Sequence, residues 1–177
     1  MNFTEISSKL EHAFNVTGIP KADTCTLWAN LSSGLLYSKS EGDFACPIYG
    51  TLTFKNKQTN ETGHTGHYDD SNDSFHVATL YYSDSTWYLL DFSTNYLITD
   101  KYNIISLHDC PIKVEVPELN IISGQEFQKI DEILKKITRI STETNKYTYS
   151  FCPQTVNCLP NKQNSQELNK LERVLYG

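Results

Sequence analysis

Apolar positions recur at helical spacing in two early segments of the chain. Between residues 3 and 14, Ile6, Leu10, Ala13 and Phe14 share one stripe among polar neighbours, which predicts an amphipathic helix ended by Gly18 and Pro20. In ADTCTLWANLSSGLLYSK, Leu27, Trp28, Leu31 and Leu35 repeat that spacing. Asp23 or Thr24 supplies an N-cap there, so Cys25 falls in the first helical turn. The period then shortens: Phe44, Ile48, Leu52 and Phe54 alternate or nearly alternate with small or polar residues, and Pro47 and Gly50 punctuate the run. A strand is expected over residues 49–55. The polar stretch NKQTNETGHTGHYDDSND is expected to be a long loop that leads directly to His76.

The segment SFHVATLYYSDSTWYLLDF, residues 74–92, reads as a β-hairpin. His76 and Asp91 lie symmetrically about Ser83-Asp84, so a turn centred there sets them directly opposite each other, with Ala78 opposite Leu89 and Leu80 opposite Trp87. One face of the hairpin is then an apolar wall with a polar pair at its open end. The apposition depends on register, because alternate residues of a strand point to opposite faces. The helix headed by Cys25 is expected to cover this wall and bring its thiol to the pair.

Short strands are expected at residues 96–99 and 103–107. Ile112, Val114 and Val116 alternate between Pro111 and Pro117 as an edge strand would. Ser123 and Glu126 form a capping box with Ile122 and Phe127 at the staple positions, predicting a helix with Phe127, Ile130, Ile133, Leu134 and Ile137 inward. Lys135, Lys136 and Arg139 complement its C-terminal dipole. A strand over 146–151 and a last helix capped by Ser165, with Leu168, Leu171 and Leu175 inward, complete the pattern. The fold class expected is α+β, a single domain over 1–177 with helices on a central antiparallel sheet. Its core spans about 23–117, and 118–177 is read as an elaboration.

Composition changes this picture little. The 177 residues are 38% hydrophobic and 20% charged, an ordinary globular balance, and the net charge of -6 shows no basic stripe, so no nucleic-acid partner is expected. No apolar run is long enough to span a bilayer. The start, MNFTEISSKLEH, lacks the regions of a signal peptide, so a cytoplasmic protein is expected, with delivery outside the cell by a dedicated route as the alternative. Five cysteines, Cys25, Cys46, Cys110, Cys152 and Cys158, make an odd set without CxxC spacing, which favours free thiols. Cys152 and Cys158 would pair only in an oxidising compartment. The Asn-x-Ser/Thr triplets at Asn2, Asn15, Asn30, Asn60 and Asn72 are what a chain rich in these residues produces by chance.

The chemistry worth weighing is nucleophilic. A thiol needs an imidazole to exchange protons and a third group to orient that imidazole. Cys25 at a helix N-terminus, where the macrodipole and unpaired N–H groups favour an anion, is the candidate nucleophile, with His76 as general acid/base and Asp91 as its orienter. Cys46 is the rival nucleophile, and Cys110, before a proline, reads as structural. Trp28, Trp87, His64 and His67 are the candidate substrate contacts. A different chemistry is open to HTGHYDD: His64 and His67 with Asp69, Asp70 and either His76 or His108 could take a divalent metal, against the plainer reading of a solvated loop. No metal and no cofactor are expected with the thiol reading.

A helix opening at cysteine, a strand beginning His-Val-Ala and a partner strand Trp-Tyr-Leu-Leu-Asp together resemble the transglutaminase-like branch of the papain-like thiol enzymes. The likeness covers Asp23 to Phe92. That superfamily includes transglutaminases, peptidases, protein deamidases, arylamine N-acetyltransferases and N-terminal glutamine amidases. The resemblance implies a nucleophile helix packed on an antiparallel sheet, with Cys25, His76 and Asp91 as nucleophile, base and orienter. It also implies a protein or peptide amide as substrate, cleaved or transferred through a thioester. The acetyltransferase motif around the cysteine has no match here, and hydrolysis is favoured over transfer. The competing class is a non-catalytic interaction protein that keeps the fold and binds through its tyrosine-rich surface and long loop.

Overall fold

In the computed structural model the chain is α+β, with an antiparallel sheet that nearly closes into a barrel and helices packed on its outer face. The structure describes residues 2–37, 43–65, 68–69, 72–73, 75–98, 104–105, 112–117, 130, 134–154 and 165–177. Helix α1 is Phe3–Thr17. The Asn2 side chain caps it by accepting from the Thr4 and Glu5 N–H groups, and Gly18 closes it in the left-handed region (φ 69°) while donating its N–H to Phe14 O. Helix α2 is Cys25–Tyr37 and helix α3 is Ser165–Tyr176.

The strands are β1 (Phe44–Asn56), β2 (Thr62–Thr65), β3 (Tyr68–Asp69), β4 (Asn72–Asp73), β5 (His76–Ser83), β6 (Thr86–Asp91), β7 (Leu97–Ile98), β8 (Ile104–Ile105), β9 (Ile112–Glu115), β10 (Ile140–Glu143) and β11 (Tyr147–Pro153). The main sheet runs β10-β11-β1-β5-β6-β9, with β2 also on β1, and its end strands β10 and β9 approach each other. Two features differ from the sequence pattern. The polar segment expected to be loop carries β2, β3 and β4: β1 runs on past its pairing with His76, the first residue of β5, and Thr62–Thr65 takes the backbone partners there, while β3 and β4 pair with each other. The segment read as an elaboration supplies β11, which sits inside the sheet and pairs with β1 from Gly50 to Asn56. The capping box at Ser123 and Glu126 lies outside the described residues, whereas Ile130, Leu134 and Ile137 are buried in the core.

The hairpin register also moves. Leu80 opposes Leu89 and Tyr82 opposes Trp87, because the turn is centred on Asp84-Ser85 instead of Ser83-Asp84. Both turn residues have positive φ, 50° and 61°, as the two-residue turn that matches strand twist requires. A one-residue shift of the turn moves the pairing by two positions, so every side chain keeps its face. His76 and Asp91 therefore share a face as diagonal neighbours.

Each face of the sheet carries its own core. Ile48, Leu52, Phe54, Ala78, Leu80, Trp87, Leu89, Tyr149 and Phe151 fill the barrel interior. Ala45, Tyr81, Leu90 and Phe92 project outward and pack with Leu10, Phe14, Leu27, Trp28 and Leu31 of the helices. Helix α2 thus covers the face opposite the wall of Ala78, Leu80, Leu89 and Trp87, correcting the expectation that it would cover that wall. The wall is buried instead by the barrel curling on itself. A polar pin fixes α2 in place: buried Ser32 and Thr79 share a 2.6 Å hydrogen bond beside the Ala29 carbonyl. Among the described residues, no helix is long and apolar enough to cross a membrane.

The turn gives a direct test. Ser85 holds a left-handed conformation that glycine adopts without strain, so Ser85→Gly is expected to stabilise the protein by about 0.5–1 kcal/mol and raise its thermal midpoint by a few degrees. A lower midpoint in a calorimetric scan would count against this register.

Candidate active site

Helix α2 and strand β5 set the site by arithmetic. Ser32 lies two helical turns after Cys25, about 10 Å at the helical rise. Thr79 lies three residues after His76, about 10 Å at the strand rise. With Ser32 pinned to Thr79 and the helix running in the same sense as the strand, the head of α2 arrives at the start of β5. The contacts agree: the Cys25 thiol donates to Phe75 O at 3.7 Å, one residue before His76, and lies close enough to the imidazole to raise its pKa.

Local structure leaves that helix head available. Asp23 is in the left-handed region (φ 59°), so the cap position falls to Thr24, whose carbonyl accepts from the Leu27 and Trp28 N–H groups. The Thr24 hydroxyl does not cap the helix; it donates backwards to the Pro20 and Lys21 carbonyls at 3.0 and 2.9 Å. The hydroxyl therefore leaves the Cys25 and Thr26 N–H groups uncapped, and the thiol itself is half-buried.

Behind the thiol the site is closed. His76 is 2% exposed and Asp91 1%, and His76 Nε2 meets Asp91 Oδ2 at 2.6 Å. The same Oδ2 accepts from the Tyr149 hydroxyl at 2.8 Å, while Oδ1 accepts from Ser93 Oγ at 2.8 Å and from the Ser93 N–H at 3.2 Å. The Thr94 hydroxyl donates to the Asp91 carbonyl at 3.1 Å. Since Nε2 is committed to Asp91, Nδ1 is the ring nitrogen left to serve Cys25. Burial pulls the His76 pKa down, but the Asp91 charge and hydrogen bond, with the Cys25 thiol, outweigh it and push it up to about 10. Burial opposes ionisation of Asp91, yet His76, Ser93 and Tyr149 together hold its carboxyl below the usual range. Phe151 stands edge-on to the imidazole at 6.2 Å. Gly50, directly across from His76 on β1, leaves room for that ring: a Cβ there would fall 2.6 Å from Phe151 Cζ.

The other candidates lie elsewhere. Trp28 is buried, stacked on Phe14 at 4.4 Å and Tyr96 at 5.6 Å, with its indole N–H donating to Lys21 O, so both its faces are used in packing. Trp87 is buried inside the barrel beside Tyr82 and Phe44. Neither presents a surface to a substrate. His64 opposes Thr53 in the β2 ladder, and His67, Asp70 and His108 lie outside the described residues. Among the described residues no three His, Cys, Asp or Glu side chains converge as a metal site would need. Cys46 packs against the barrel core among apolar residues. Cys110 and Cys158 fall outside the described residues.

Sequence reasoning missed Ser93 and Tyr149. Ser93 was within reach, since Asp followed two residues on by Ser is a turn in which the carboxylate accepts from the i+2 N–H. Tyr149 was not, because nothing local shows that β11 pairs with β1 and curls toward β6.

Linkage gives a testable pH signature. A raised His76 pKa means that the folded state holds this proton more tightly, so its stabilisation is complete below about pH 6.5 and lost as pH rises towards 10. A lowered Asp91 pKa means stabilisation present above about pH 4 and lost as pH falls further. Denaturant unfolding of the wild type and His76→Gln is expected to show a stability gap that shrinks by at least about 1 kcal/mol between pH 6.5 and 9. A gap independent of pH would mean that His76 is neutral in the native state.

Comparison with known proteins leaves the site to speak for itself: no family model, no curated protein and no solved structure matches the chain.

Proposed function

We propose that the protein is a thiol enzyme that cleaves or transfers an amide, with Cys25 as nucleophile, His76 as general acid/base and Asp91 as orienter. The observation that carries this reading is the order of exposure along one row of side chains: a half-buried thiol heads a helix, next to a buried imidazole whose far nitrogen is hydrogen-bonded to a buried carboxylate. A merely structural His–Asp pair has no need of a reachable thiol on its free nitrogen. A nucleophile helix on an antiparallel barrel, with His and Asp on successive strands, also supports placement in the transglutaminase-like branch of the papain-like enzymes.

In the reaction, the Cys25 thiolate attacks the carbonyl carbon of a carboxamide or peptide bond. The Cys25 and Thr26 N–H groups at the head of α2 are the donors for the developing oxyanion, since those of Leu27 and Trp28 are committed to Thr24 O. His76, protonated and held by Asp91, gives its Nδ1 proton to the leaving nitrogen as the C–N bond breaks, leaving an acyl thioester on Cys25 and a free amine. Water then attacks the thioester while His76 takes its proton, and the C–S bond breaks to give a carboxylic acid and restore the thiolate. An amine in place of water would give transfer; hydrolysis is the reading favoured here. The substrate class is a protein or peptide amide.

A limiting dose of iodoacetamide on the intact chain tests this. Cys25 is expected to be labelled at least about tenfold faster than Cys46 or Cys152, and His76→Ala to reduce it to the rate of an ordinary thiol. Equal labelling of all three cysteines, unchanged by His76→Ala, would sink the proposal.

A further inference from the structure

We infer that Tyr149 is a positioning residue for this site: from across the barrel its hydroxyl holds the Asp91 oxygen that receives His76, fixing the carboxylate for the imidazole. The inference rests on the thiol-enzyme reading and concerns a residue outside the segment that resembles known thiol enzymes. Asp91 sits at the end of β6, where strand geometry alone leaves its side-chain torsions free. Ser93 restrains Oδ1 through two donors but is only two residues away and moves with the same turn. Tyr149 is 58 residues distant, fully buried, and anchored on β11 by the ladder to β1. It therefore ties the carboxylate to a rigid element that does not move with β6.

The shared acceptor gives the arrangement its consequence. Tyr149 Oη and His76 Nε2 reach the same Oδ2 at 2.8 and 2.6 Å. Two donors on one oxygen define its position and spread its charge, so that Asp91 stays an anion without drawing the proton off the imidazole. Among the described residues, the groups facing the carboxylate are His76 from β5, Tyr149 from β11, Ser93 from its own turn and Ile112 across from it on β9, with Cys25 of α2 beyond the imidazole. Burial and the Asp91 charge, with smaller contributions from Cys25 and Tyr147, hold the phenol far above its ordinary pKa, so it remains a neutral donor across the working range.

The test uses the full chain and two readouts. The first is the pH dependence of Cys25 alkylation by iodoacetamide; the second is the ¹³C titration of the Asp91 carboxyl, assigned by its loss in Asp91→Asn. Tyr149→Phe is expected to move the Asp91 midpoint and the acid limb of alkylation up together by about one pH unit, and to slow alkylation at neutral pH several-fold. Wild-type alkylation that depends on His76, with neither curve moved by Tyr149→Phe, would overturn the positioning role and leave the thiol-enzyme reading standing. A shifted Asp91 midpoint with an unmoved acid limb would reduce the Tyr149 contact to a structural hydrogen bond. Wild-type alkylation indifferent to His76 would overturn the thiol-enzyme reading itself. Should Tyr149→Phe not fold, a slowly exchanging phenolic proton in the wild type, lost in Asp91→Asn, is expected by NMR. Its absence would overturn the inference.

Discussion

A carboxylate inside an apolar barrel is the constraint on which this structure turns. Asp91 is 1% exposed, and removing a charge from water to such a place costs several kcal/mol unless it is paired and its lone pairs are met. Each neighbour answers a part of that requirement. His76 supplies the opposing charge, the Ser93 turn supplies two donors, and Tyr149 supplies a fourth from the far side of the sheet. Because the donors come from β5, β11 and the turn after β6, the carboxylate can be satisfied only when the barrel is assembled. Buried polar groups of this kind are weak sources of stability but strong sources of specificity when every member is bonded.

The same logic places the thiol. Helix α2 is buried on nearly all sides, so its position along the sheet is not decided by an amphipathic stripe. Ser32 and Thr79 help decide it, since sliding the helix would take both Ser32 and the Ala29 carbonyl away from the buried Thr79 hydroxyl and leave that group unmet. Sliding the helix by one turn would carry Cys25 about 5 Å from His76. A polar contact in the outer core thus sets a distance in the site.

The sequence is legible wherever the information is local. The α1 and α2 spans, the hairpin, the edge strand at Ile112 and the last helix follow from period, caps and turn residues, with ends shifted by a few positions. Cys25, His76 and Asp91 meet because helix start and strand parity are both local properties. The turn centre itself is one residue further on than symmetry suggests, since Asp84-Ser85 adopts the left-handed pair, yet a shift of two in pairing preserves parity. The features that escape the sequence are long-range: that α2 packs outside, that β1 is long enough to hold β2, β5 and β11, and that Tyr149 faces Asp91. Antiparallel pairing leaves its pattern in each strand but not the identity of the partner.

The tryptophans fall under the same limit. An aromatic side chain near a candidate nucleophile in sequence looks like part of a binding surface, but Trp28 lies one helical turn past Cys25, on the side that meets α1. Its stacking on Phe14 and Tyr96 fastens the head of α2 from outside, while the Ser32–Thr79 pair fastens the same helix to the sheet. The head of α2 is therefore held from both sides, with its half-buried thiol against Phe75 O at the start of β5. A thiol and an imidazole held this way need no reorganisation to exchange a proton, which is the requirement that the proposed chemistry places on the fold.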